Sequence, residues 1–202
     1  MTGGFPTLAG VDLVVDASEI CFVSGDNGAG KTSLLRLLAG LTPLAGGAGD
    51  VLGVDLASDR RALRRLVGLL GHGTGMYEEL SVLENLRFFA RATRLPTDGI
   101  DAALDLVGVP GRVRSLPMAS LSAGQRRRAA LAGLVIRRPR LWLLDEPHTG
   151  IDASGRTLVD RLIVDAAAAG ATVIFSSHET ERAAGIATRQ VELAGGAVRA
   201  AT

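Results

Sequence analysis

Short, unbroken apolar runs alternate with stretches of helical period along this chain. Ile20–Val23 is continuous in apolar residues, which predicts a strand buried on both faces. Ser33–Ala39 carries apolar side chains at helical spacing and stops at Gly40, so it predicts an amphipathic helix directly after a glycine-rich loop. Residues 42–56 are rich in glycine and lack helical period, which predicts turns and short antiparallel strands. Arg60–Leu66 predicts a short basic helix and Val67–Leu70 another strand. From Glu78 to about Pro117 the pattern is helical, with Val82–Arg94 followed by Ile100–Val107 and closed by Gly108 and Pro110. No strand signal interrupts that stretch, so it predicts a helical lobe. Leu141–Leu144 and Thr172–Phe175 predict two later buried strands, and Ser154–Ala169, ended by Gly170, a long helix between them. Strands that alternate with helices predict an α/β protein with a mostly parallel sheet. No internal repeat, heptad array or low-complexity linker divides it.

Composition narrows the roles open to such a fold. The 202 residues are 47% hydrophobic, enough for one substantial core or a core with a satellite lobe. A formal net charge of +1 lacks the basic excess that marks a nucleic-acid-binding surface, so no nucleic-acid partner is expected. A single cysteine, Cys21, excludes an internal disulfide and fits a reducing compartment; its place in Ile20–Val23 predicts a small buried hydrophobe. No run reaches the ~18 apolar residues of a membrane span, and no signal peptide is evident. Both absences predict a soluble polypeptide. Lys31 is the only lysine among 22 basic residues, and it lies inside the glycine-rich loop. There a slim ammonium reaches between phosphate oxygens that a planar guanidinium fits poorly.

That loop is Gly25-Asp26-Asn27-Gly28-Ala29-Gly30-Lys31-Thr32, followed by Ser33. Glycines let the backbone wrap closely round a phosphate, and the following helix adds its N-terminal partial positive charge. In this pattern Lys31 neutralises the β- and γ-phosphates of ATP, and the Thr32 hydroxyl ligates Mg²⁺. The loop leaves a predicted strand and enters a predicted helix, as its mechanism requires. The fold class is therefore an α/β P-loop NTPase core with a mostly parallel sheet, a small antiparallel β subdomain and an inserted helical lobe.

Three further elements add to the loop. Leu141–Leu144 ends in Asp145-Glu146, two carboxylates at the carboxyl end of a buried strand, where the ligand crevice of open parallel sheets lies. Asp145 is placed to hold the Mg²⁺ shell and Glu146 to polarise an attacking water, while Trp142 reads as core. In Leu121-Ser122-Ala123-Gly124-Gln125, Ser122 and Gln125 have capping-box spacing, so a helix starts there and runs through Arg126–Ile136. Such a helix start is also an anion site. Arg126-Arg127-Arg128 reads as an exposed basic face, with contact to a partner as the alternative. Thr172–Phe175 runs into Ser176-Ser177-His178, and His178 reads as a γ-phosphate sensor or proton-handling group.

Loop, Leu-Ser-x-Gly-Gln, Asp-Glu-Pro and terminal histidine, in this order, resemble the nucleotide-binding subunit of ATP-binding-cassette transporters over nearly the whole chain. The resemblance implies one cassette domain over 1–202, with a core of 1–72 and 121–202 and a helical lobe at about 73–120. It implies an ATPase that forms a head-to-tail homodimer in the ATP-bound state, each ATP lying between one subunit's Gly25–Thr32 and the other's Ser122–Gln125. Asp152 then takes the family's loop role between the two sites. The helical lobe receives integral membrane permease subunits, which puts the chain at the cytoplasmic face of the cell membrane as a peripheral subunit. Leu69-Leu70-Gly71-His72, Leu83-Glu84-Asn85-Leu86-Arg87-Phe88, the Leu141-Trp142 pair and the alanine at 123 resemble the ATPase subunit of haem exporters in cytochrome c maturation. An exporter of a drug, lipid or peptide is the alternative, ahead of a soluble cassette of translation or DNA repair.

The chain departs from the family pattern at several points. His72 stands where most members have glutamine, which leaves open how metal and water are sensed. Asp26 adds a negative charge to the loop, and Ser18 stands where glycine is usual. Phe5 is the only nearby aromatic for stacking on adenine, with core or edge packing as its alternative.

Overall fold

The structure is a computed structural model that describes residues 7–201; Phe5, the residue considered for adenine stacking, lies outside them. Its chain divides into two compact units, one of residues 1–71, 139–147 and 160–202, the other of 72–138 and 148–159.

The first unit is a six-stranded sheet. Its strands are β1 (Ile20–Ser24), β4 (Val67–Leu70), β5 (Leu141–Asp145), β6 (Thr172–Ser176), β7 (Arg189–Ala194) and β8 (Ala197–Ala201), in the order β4-β5-β6-β1-β7-β8. Every pairing from β4 to β7 is parallel, and only β7–β8 is antiparallel. Strands between two neighbours and buried on both faces need uninterrupted apolar sequence, which ICFV, LWLL and TVIF supply. Burying each such Val, Leu, Ile or Phe stabilises by about 1.5–3 kcal/mol. Helix α1 (Lys31–Leu38) packs on β5 and β6 through Leu34 and Leu35, both fully buried. Strands β2 (Asp50–Val51) and β3 (Val54–Asp55) form the small antiparallel pair expected of residues 42–56.

Helix α2 (Leu63–Leu66) is shorter than the expected Arg60–Leu66. Here Ala62 N–H donates to Asp59 O at 3.0 Å and Arg64 N–H to Arg61 O at 3.2 Å, so the chain turns in three-residue steps instead of an α-ladder. The loop 16–18 before β1 explains the usual glycine at 18: Ser18 has φ 65°, left-handed backbone. Helix α7 (Thr180–Ile186) and the hairpin β7–β8 have no counterpart in the sequence reading. The signal for the hairpin was Gly195-Gly196 between two alternating runs; both glycines have positive φ (58° and 79°), as a tight hairpin turn requires.

The second unit is helical. Helix α3 (Val82–Ala92) opens on a capping box, Ser81 Oγ accepting from Glu84 N–H while the Glu84 carboxylate accepts from Ser81 N–H. It buries Val82, Leu86 and Ala90 at four-residue spacing. The helix ends at Ala92, before the expected Arg94, because the Thr93 hydroxyl donates to Phe89 O at 2.8 Å and Arg94 turns left-handed at φ 58°. Asn85 is buried, and its amide accepts from Tyr77 N–H and donates to the carbonyls of Tyr77, Leu80 and Ser81. One side chain thus fixes the 77–81 loop, and the half-exposed rings of Tyr77 and Phe88 meet edge to face at 5.4 Å. Helix α4 (Ile100–Leu106) packs on α5 (Ala123–Arg137). Helix α6 (Ala153–Ala168) follows β5 after the segment 146–152.

Arg126-Arg127-Arg128 is not the exposed basic face expected of it. Arg127 is buried; Arg126 Nε donates to Leu121 O at 3.0 Å and its guanidinium lies 3.5 Å from Glu78; Arg128 is bonded to Asp152 at 2.9 Å. Three consecutive positions cover most of a helical turn, so one of them had to face inward.

Candidate active site

In the first unit the loop between β1 and α1 forms a tight turn. Ala29 N–H donates to Asp26 O at 3.1 Å, and Leu34 N–H to Gly30 O at 2.8 Å starts the α-ladder. Gly25 has φ 137°, and a Cβ there would run into the carbonyl oxygen of Leu193 on β7. Gly28 at φ 81° faces open space, so its requirement is conformational only. Asp26, Asn27 and Gly28 are exposed at the tip, while Ala29 and Gly30 are buried. Lys31 is buried, and its Nζ donates to Gly25 O at 2.5 Å and Asp26 O at 3.1 Å. The ammonium thus holds the two arms of the loop together and adds a positive charge beneath its tip. A cradle of this shape, glycine-walled and ending on a helix N-terminus, suits a phosphate chain.

The carboxyl ends of β5 and β6 bring the remaining groups together. Parallel register pairs Asp145 with Ser176. The Ser176 hydroxyl, fully buried, donates to Asp145 Oδ1 at 2.8 Å and accepts from Glu146 N–H at 3.1 Å. Thr32 Oγ1 donates to the other carboxylate oxygen, Asp145 Oδ2, at 2.7 Å. His178 N–H donates to Glu146 Oε2 at 3.0 Å, and the His178 ring Nε2 lies 3.5 Å from Glu146 Oε1. Glu146 is 7% exposed and has φ 51°, left-handed backbone in a residue with a side chain, which costs about 1–3 kcal/mol. The chain thus holds Glu146 in a shape it does not favour, with bonds to Ser176 at the end of β6 and to His178 two residues on.

The structure therefore joins Thr32, Asp145, Glu146 and His178 in one hydrogen-bonded chain beside Lys31. Ser176 is the link that sequence reasoning passed over. Its only signal was position: it ends an apolar run whose partner strand ends in Asp145, and the register that aligns them is not written in either segment alone.

In the second unit, His72 lies exposed just beyond β4. Ser122 caps α5 as expected, with Ser122 Oγ accepting from Gln125 N–H at 3.2 Å and the Gln125 side chain accepting from Ser122 N–H at 3.0 Å. Ser122 and Ala123 are exposed, Gly124 and Gln125 half-buried. Asp152 is exposed and caps the start of α6. The amide of Gly155, then the Ser154 hydroxyl and the Arg128 guanidinium hold its carboxyl below the usual carboxylate range. His148, 3% exposed, is a further buried polar group that the sequence reading did not single out.

Among the described residues no helix is long and apolar enough to cross a membrane. The family described as ABC transporter matches residues 8–149. The cytochrome c biogenesis ATP-binding export protein CcmA of Xanthomonas campestris is 41% identical over 194 residues, 93% of this chain and 87% of that protein. The protein of the same name from Vibrio cholerae is 41% identical over 169 residues, 82% of this chain and 80% of its own. A solved structure of the ATP binding subunit of an ABC transporter superposes with a TM-score of 0.88 at 28% identity, over 99% of this chain and 86% of that one. The match spans the loop, β5 and the Asp145–Glu146 pair at its end, and on these grounds the chain belongs to the ABC transporter family as a subunit that binds and hydrolyses ATP.

Proposed function

We propose that this subunit drives export for cytochrome c biogenesis, with haem as the cargo, by hydrolysing ATP between two copies of itself beneath integral membrane permease subunits. The observation that carries the catalytic part is the bonded chain Thr32–Asp145–Ser176–Glu146–His178 beside Lys31. The cargo rests on the likeness to the CcmA proteins.

In this reading the Gly25–Ser33 loop wraps the phosphates of ATP and Lys31 gives up its loop carbonyls to meet them. Thr32 and Asp145 would hold Mg²⁺, and the fit is chemical: both offer hard oxygen donors, 2.7 Å apart. Bound there, magnesium would supply charge neutralisation for the phosphates. His72, at the position where glutamine is usual, would be a further candidate for sensing metal and water. Glu146 accepts a proton from water as its oxygen attacks the γ-phosphorus; the bond to the bridging oxygen breaks and ADP leaves. His178, tethered to Glu146, meets the γ-phosphate. Ser122, Ala123, Gly124 and Gln125 close the site from the second copy, and Asp152 lies between the two sites. The chain is then peripheral, on the cytoplasmic face of the membrane.

Glu146→Gln tests the chemistry. It removes the proton acceptor and little else, so it should keep ATP binding, give an ATP-stabilised dimer and release phosphate at least about a hundredfold more slowly. Wild-type turnover in that variant would remove Glu146 from the role. For the cargo, deletion of the gene should abolish covalent haem attachment to c-type cytochromes. Normal cytochromes would refute haem export while leaving the ATPase assignment untouched.

A further inference from the structure

The second unit contains an ion pair packed closely between two glycines. The Arg128 guanidinium, on the signature helix α5 one turn past Gly124, crosses to Asp152 and bonds Oδ1 at 2.9 Å. It passes two glycines. A Cβ on Gly108, itself left-handed at φ 68°, would lie 2.6 Å from Arg128 Nη1, and a Cβ on Gly155 would lie 1.9 Å from Ile151 Cγ2 and 2.8 Å from both Arg128 Nη2 and Asp152 Oδ1. The same Asp152 oxygen accepts from Gly155 N–H at 3.0 Å, and the other accepts from the Ser154 hydroxyl at 3.0 Å. One turn earlier on α5 the two segments meet again: a Cβ on Gly124 would come within 3.0 Å of Gly150 O. Arg128 is thus largely buried along its stem, with 19% of its side chain exposed against 70% for Asp152.

We infer that Arg128 is a positioning residue, which locks the Asp152 turn to the Ser122–Gln125 turn so that one copy presents both to its partner as a single rigid surface. The inference rests on the proposed dimer. Arg128 need not touch nucleotide to matter. Without it, Asp152 keeps its bonds to Ser154 and Gly155, and the 150–155 turn is held to α5 only where Gly150 meets Gly124. Closure on ATP must then order that turn, at an entropic cost the bonded form has already met.

The test uses the full chain carrying Glu146→Gln, with ATP and magnesium, and follows the monomer–dimer equilibrium by sedimentation. Arg128→Met keeps much of the stem and removes the charge. It should weaken the dimer about tenfold per copy, and so about a hundredfold for the two copies together, one charge-assisted bond being lost in each, while ATP affinity of the monomer stays unchanged. Asp152→Asn should weaken it similarly, and the double variant no more than either alone. Amide exchange at Gly155 in the nucleotide-free protein should quicken in Arg128→Met. Arg128→Lys, which retains the charge, should recover part of the dimer affinity and covers the case in which the methionine variant folds poorly. General damage to the fold would lower ATP affinity too, and would overturn the inference. Multiplying losses in the double variant, or a dimer that Arg128→Met leaves intact, would overturn it as well. If the parent forms no dimer with ATP, the dimer reading fails and the inference with it.

Discussion

Replacing Ser176 by alanine isolates the hydroxyl that ties the two carboxylates together. The hydroxyl is fully buried and makes two bonds, to Asp145 Oδ1 at 2.8 Å and from Glu146 N–H at 3.1 Å. A bond to a carboxylate contributes about 1.5–3 kcal/mol and a neutral one about 0.5–1.5 kcal/mol, so the substitution should cost about 2–4 kcal/mol. For a chain of this size that lowers Tm by on the order of 5–10 °C. The kinetic effect follows from the backbone of Glu146. Its left-handed φ of 51° stores about 1–3 kcal/mol, and the Ser176 hydroxyl is one of the contacts that keep it there. Released, the residue relaxes and its carboxylate leaves the position set by His178 N–H. We expect kcat to fall about 10- to 100-fold, equivalent to about 1.4–2.7 kcal/mol. ATP affinity should change little, because Lys31 and Thr32 retain their own bonds. Phosphate release, nucleotide titration and thermal melting measure the three quantities. A Ser176→Ala protein with unchanged kcat and Tm would refute the reasoning, and a loss confined to ATP affinity would place Ser176 in binding instead.

Gly25→Ala puts a methyl group on the Leu193 carbonyl, whereas Gly28→Ala puts one into open space at φ 81°. Urea unfolding should show about 2–5 kcal/mol lost for the first and about 1 kcal/mol for the second, with ATP binding lost only in the first; equal effects would contradict the packing argument. Cys21 is buried, and burial pushes its thiol up to about 12, against a smaller opposing pull from Arg189. It should resist thiol reagents at pH 8 when folded and react fully in guanidinium; because its folded pKa is raised above the ordinary 9.0, its contribution to stability is complete below pH 9 and declines between pH 9 and 12. Asn85→Ala removes four bonds to the 77–81 loop. Chymotrypsin should then cut after Tyr77 at least about tenfold faster, since cleavage follows the population of open loop.

How much of this was legible beforehand depends on range. Elements whose residues carry their own instruction were readable: ICFV and LWLL as buried strands, Ser122 and Gln125 as a cap, the glycine pattern of 25–30 as a cradle. Arg126-Arg127-Arg128 was misread because charge suggests exposure, and only the packing of α5 tells which of three consecutive arginines turns inward. Ser176 was invisible for a different reason. Its chemistry arises from pairing with a strand 31 residues earlier, and a serine at the end of an apolar run is otherwise unremarked. The strain at Glu146 is likewise a property of its neighbours and not of its sequence position.

The sheet order has a consequence for how the protein comes into being. β1, which launches the loop, lies between β6 and β7, so its earliest partner is some 154 residues downstream, as in the Ser18–Thr172 bond. A ribosome emits residues at about 5–20 per second, so the nascent loop waits on the order of ten seconds or more for the strands that frame it. Throughout that interval ICFV is an apolar ribbon with both hydrogen-bonding edges open, the kind of segment that recruits chaperones or pairs wrongly. Nucleotide cannot template the early chain, because the Leu193 carbonyl beside Gly25 is made long after the loop itself. Truncation anywhere before β7 should therefore yield a polypeptide that binds no ATP at all.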